Sequence, residues 1–144
     1  DGGSFVYYDE GLQWAMDVEH ESYDNIRPTI HAMGGKLFDM SQTSLRWKLF
    51  RMHSRQHNTL TVNDKDHNVN AFVEMVSTGN TPSRMGATFD LTPLFDGDLA
   101  KAERTAALCD DEYLEIKDVL KAPAGRSAHV RWTLMTKATT MPRL

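Results

Sequence analysis

Asp98–Leu108, DLAKAERTAAL, is the stretch whose reading decides the fold. Its composition is helical, since Ala, Leu, Lys, Glu and Arg all form helices readily and Asp98 stands where an N-cap would. Its apolar positions nevertheless fail to gather on one helical stripe, and Thr105–Leu108 runs straight into the turn residues Asp110-Asp111-Glu112. Its neighbours are strand-like. Met85–Leu91 precedes it and Tyr113–Leu120 follows it, each rich in apolar and β-forming residues between turn signals. The segment is therefore expected to be a strand.

Working outward, the same punctuation recurs. Ser4–Asp9 (SFVYYD) and Leu12–Asp17 (LQWAMD) flank Asp9-Glu10-Gly11 and read as a hairpin. Leu45–His53 (LRWKLFRMH) alternates at period two, with Leu45, Trp47 and Leu49 on one face. His57–Val62, Ala71–Ser77 and Ala128–Met135 supply further candidate strands. Val18–Ser44, with Pro28 and Gly34-Gly35, is expected as a long polar loop that is functional or packed on a neighbour. The expected fold is all-β, an antiparallel β-sandwich forming one partial domain over 1–144.

Length and composition agree with an ordinary folded domain. The chain has 144 residues, 40% of them hydrophobic and 25% charged, enough for one core. No apolar run is long enough to enter a membrane. The net charge of −4, from 20 acidic and 16 basic residues, argues against a nucleic-acid partner and against capture of a polyanion by the whole surface. Any anionic ligand must then meet a local cluster. Cys109 is the single cysteine and reads as a packing residue. The chain opens on Asp1, which points to processing or to a piece of a longer protein.

Few residues form a recognisable chemical motif. The six histidines, His20, His31, His53, His57, His67 and His129, include no HExxH pair, and there is no GxSxG or Gly-rich phosphate loop. Asp17 closes one strand and His57 opens another; a carboxylate and an imidazole at strand ends suit zinc if a further ligand joins them. By spacing alone, His57 reads as a hydrogen-bonded strand histidine, and the other five as ordinary polar groups. Tyr7, Tyr8, Trp14 and Trp47 read as packing aromatics rather than a sugar platform. Arg46, Lys48, Arg51 and Arg55 form a basic run that is either a solvated face or a contact for an acidic glycan.

Taken together, Asp1-Gly2-Gly3-Ser4-Phe5, Trp14-Ala15-Met16-Asp17, Arg46-Trp47, Phe50-Arg51 and His57-Asn58-Thr59-Leu60 resemble, in order and spacing, the heparinase II/III family of polysaccharide lyases. The resemblance covers the chain through about Asp66 and the remainder in general character. It implies part of a C-terminal β-domain within a larger β-supersandwich, with Asp17 and His57 as ligands of a structural zinc. The third ligand would be a histidine two positions before the place of Asp1. A catalytic-candidate histidine would lie slightly further upstream, and a tyrosine with the other acid/base groups in an α-helical toroid domain, so none is expected in this chain, and the fragment alone is expected to be inactive. The whole enzyme would cleave a uronic-acid polysaccharide of heparin or heparan sulfate type by β-elimination, in a secreted or periplasmic setting. Arg46 and Arg51 are the candidate substrate contacts. Two alternatives remain at this point: the same chemistry on alginate, or a non-catalytic glycan-binding or structural β-sandwich. Open sheet edges also leave self-association as an expectation.

Overall fold

A computed structural model of the chain describes residues 1–18 and 21–137. Its strands lie in antiparallel sheets with one α-helix, the composition of an all-β sandwich domain. Contact density divides it into two compact units. One holds Asp1, Gly3–Leu60 and the segment from Trp132; the other holds Gly2 and Thr61–Arg131.

The first unit begins with the expected hairpin, β1 (Tyr7–Asp9) and β2 (Leu12–Ala15). Glu10 (φ 48°) and Gly11 (φ 76°) both take the left-handed conformation that a tight two-residue hairpin turn requires. The long polar loop is corrected by the structure, because it contains α1 (Tyr23–Ala32). Ser22 caps its N-terminus, and Ile26 and Ile30, one turn apart, are buried with Leu37. Its end is a Schellman closure: Gly34 N–H donates to His31 O and Gly35 N–H to Ile30 O, each at 2.9 Å, with Gly34 at φ 80°. Pro28 lies inside this helix and breaks the sequence signal without breaking the element.

Leu45–His53 is a second correction. It is no strand but a 3₁₀ turn, η1 (Leu45–Lys48), followed by bends and by η2 (Ser54–Gln56). Ser44 explains the first of these, since its hydroxyl accepts from Arg46 N–H and starts a helical turn. Of the His57–Val62 strand only β3 (Leu60–Val62) forms, beside β8 (Val130–Trp132). The hydrogen bonds Thr133 N–H to Thr59 O and Asn63 N–H to His129 O set this pair antiparallel.

The second unit is built on a four-stranded meander: β4 (Glu74–Thr81), β5 (Arg84–Asp90), β6 (Lys101–Cys109) and β7 (Tyr113–Lys121), adjacent in that order. From Lys101 onward the ambiguous stretch at 98–108 is thus a central strand, as expected, while Asp98–Ala100 lead into it. Register explains why its apolar positions form no helical stripe. On one face lie Ala106 and Leu108 beside Ala87, Ile116, Met85 and Leu114, while Thr105 and Lys101 turn to the other face. The buried Arg104 interrupts the apolar face, with Nε and an Nη each 2.8 Å from the carboxylate of its cross-strand partner Asp118. On the opposite face the hydroxyls of Thr88 and Thr105 sit 2.8 Å apart. Gly86 is required where it stands, because a Cβ there would come within 2.2 Å of Ala106 O. Strands β4 and β7 form the edges, and every residue of β4 is exposed. Among the described residues no helix is long and apolar enough to cross a membrane.

Candidate functional site

Asp17 and His57 are brought together. His57 Nδ1 lies 3.0 Å from Asp17 Oδ2, although forty positions separate them in sequence. The imidazole is almost fully enclosed, whereas the Asp17 carboxylate is one-third exposed. On the other side of the ring, Nε2 is buried and makes no hydrogen bond, with Asp1 Oδ2 at 3.2 Å. The imidazole therefore stands between two carboxylates.

The convergence has a local cause that the sequence reading missed. Asn58, fully buried, follows His57 and bonds backbone from three other segments. Its Nδ2 donates to Phe5 O at 2.7 Å and to Met16 O at 2.9 Å, and its Oδ1 accepts from Met135 N–H at 2.6 Å. Met16 N–H in turn donates to Met135 O at 2.9 Å. The neighbouring pairs Met16-Asp17 and His57-Asn58 are thereby held together at two points, one through the Asn58 amide and one through the His57 ring. A buried amide is costly unless its donors and acceptor are satisfied. The available signal is the His57-Asn58-Thr59 triplet itself, which sets a second hydrogen-bonding side chain directly after the histidine.

The donor set suits a zinc ion as half of a site. At Zn–N and Zn–O lengths of about 2.0–2.2 Å, a tetrahedral ion spaces its ligand atoms roughly 3.3 Å apart, a few tenths more than the Asp17–His57 separation. Asp1 faces the opposite ring nitrogen and so does not complete the same tetrahedron. Among the described residues no group of three His, Cys, Asp or Glu side chains is arranged to hold a metal.

The arginines expected at a ligand surface are engaged elsewhere. Arg46 is buried, its guanidinium donating to Leu37 O at 3.1 Å and lying against the sulfurs of Met40 and Met52. It also stacks over Trp47 at 4.9 Å from the ring centroid. In this conformation it braces a loop. The period-two strand that would have pointed it outward does not exist. Arg51 is half exposed, donates to Val18 O and pairs with Glu21 at 3.5 Å. Of the remaining histidines, His31 lies in the last turn of α1, and His67 is buried edge-on against Phe95. His20 lies outside the described residues.

An all-β domain of antiparallel sheets, with a buried histidine paired to a carboxylate beside a satisfied asparagine, is the class this chain defines. The family model for the heparinase II/III-like C-terminal domain matches residues 21–143, and the chain belongs to that family. His57, Asn58 and Thr59 fall inside the matched span, while Asp1–Phe5 and Asp17 precede it. Comparison with curated proteins returns no match to an individual protein.

Proposed function

We propose that the chain is the β-domain portion of a secreted or periplasmic polysaccharide lyase that cleaves uronic-acid polysaccharides of heparin or heparan sulfate type. The observation that carries the reading is the convergence of Asp17 and His57 in a member of the heparinase II/III-like C-terminal family. In the proposed reaction a base removes the C5 proton of the uronate and the C4–O bond breaks. The leaving oxygen takes a proton from an acid, leaving a C4=C5 double bond conjugated to the carboxylate. Acid and base are assigned to the rest of the enzyme.

The role of this chain is to shape and hold one wall of the cleft. Asp17 and His57 would hold a structural zinc, with a third ligand from polypeptide preceding Asp1; the ion would fix the two loops against each other. Asn58 supports the same junction by bonding the backbone at Met16. The test is made on the longer enzyme with heparan sulfate and alginate as substrates, following ultraviolet absorbance of the unsaturated product. Product from heparan sulfate is expected. Product from alginate alone would move the substrate class, and product from neither would overturn the lyase reading.

A further inference from the structure

The loop after α1 displays an aromatic side chain in a way that packing alone does not require. Phe38 is 67% exposed, although the residues on either side of it are tightly fixed. Leu37 inserts into the core cluster with Ile26 and Ile30, and its carbonyl accepts from the buried Arg46. Trp47 Nε1 donates to Ser41 O at 2.8 Å, and Asp39 N–H to Lys36 O at 3.2 Å. The backbone is thus held from both ends of the loop while the phenyl ring projects outward. Tyr23, itself half exposed, meets that ring edge-on with centroids 5.6 Å apart and an interplanar angle of 87°.

Beside the ring lies an open depression of about 610 Å³, lined by Phe38, Lys36, Asp39 and Thr43 around the Gly34-Gly35 turn. Its lining pairs an aromatic surface with a cation, a carboxylate and a hydroxyl, the combination that suits an acidic pyranose. With such a ligand the ring would take the apolar C–H face of the sugar, Lys36 would meet the uronate carboxylate, and Asp39 and Thr43 would meet hydroxyls. Asp39 stays an acceptor because hydrogen bonds from Ser41 hold its carboxyl below the usual range. The fixed backbone lowers the ordering cost of binding.

We propose that the Phe38 loop is a sugar-binding platform that stacks one uronate residue of the polysaccharide, with Arg46 as its buried brace. The proposal rests on the lyase reading for its ligand class. It also gives Arg46 a different part in recognition, that of holding an aromatic in place.

The test is a titration of the 144-residue chain, monitored by NMR, with a glucuronate–N-acetylglucosamine tetrasaccharide and, separately, with neutral chitotetraose. Shifts are expected at Tyr23, Phe38 and Thr43, with the acidic sugar bound more tightly than the neutral one. Phe38→Ala should weaken binding at least tenfold and Lys36→Gln several-fold. The methyl signals of Ile26, Ile30 and Leu37 should stay in place in both variants as the folding control. Binding of the acidic sugar that Phe38→Ala leaves unchanged would overturn the platform while leaving the polysaccharide reading intact. Preference for chitotetraose at Phe38 would overturn the acidic ligand. Absence of any shift in the loop with either sugar would overturn the site altogether, whatever the longer enzyme cleaves.

Discussion

Replacing Asn58 with alanine deletes one amide that holds three backbone groups, at Phe5, Met16 and Met135. A buried hydrogen bond contributes about 1 kcal/mol net, and a partner left unsatisfied costs about 1–3 kcal/mol. Three bonds on a side chain with no exposed surface therefore give a loss of about 3 kcal/mol, more if no water enters the gap. Asn58→Asp is the sharper variant. It keeps the acceptor for Met135 N–H but turns a carboxylate oxygen toward two carbonyls, so it should lose at least as much despite its matching shape. Urea unfolding reads the effect as a lower midpoint at unchanged slope, and hydrogen exchange reads it locally at the Met135 amide, which should lose protection. A loss below about 1 kcal/mol in both variants, with Met135 still protected, would refute the claim that this amide holds the segments together.

The buried Arg104–Asp118 fork should behave as a pair: Arg104→Met alone should cost about 3–5 kcal/mol, and adding Asp118→Leu should restore most of it. Equal losses from the single and double variants in a thermal melt would contradict that. Gly86→Ala should destabilise the β4–β7 sheet by about 1–3 kcal/mol, because its Cβ meets backbone rather than a movable side-chain end; a neutral result by denaturant melt would count against the register. Asp98 is buried, and its carboxyl is held below the usual range first by the hydrogen bond from Lys65, at 2.6 Å. A depressed folded value means this stabilisation is complete above the unfolded pKa of about 3.9 and is lost as pH falls below it, through the folded value. Asp98→Asn should therefore lower stability at neutral pH and flatten the acid limb of the melting profile; an unchanged acid limb would exclude Asp98 as its source.

The sequence made the strands legible where both neighbours of a segment were also strands. The 98–108 stretch was read correctly against its own composition because Asp110-Asp111-Glu112 demanded a turn, and there Asp110 and Asp111 take φ of 52° and 55°. Local signals failed where the structure is held by single side chains. Pro28 hid α1, although Ser22 and Gly34-Gly35 mark its two ends, and the Ser44 hydroxyl converts an apparently alternating segment into a 3₁₀ turn. At the site, the Asp17–His57 convergence followed from family resemblance and not from spacing, since forty residues of chain carry no rule for which carboxylate a histidine will meet. Phe38 gave no periodic signal, because its exposure is imposed by Leu37 and Arg46 on either side of the loop.

Strands β3 and β8 also bear on how this molecule tolerates change. They run side by side, so the polypeptide leaves for Thr61–Arg131 and returns from it at neighbouring points. An excursion whose two ends are already joined by a sheet places little constraint on its own length, because closing a longer loop costs only about 0.6 kcal/mol for each doubling. Growth or trimming of the meander, at hairpin tips such as Pro82-Ser83 or Asp110-Asp111, can therefore proceed without moving the chain ends at β3 and β8.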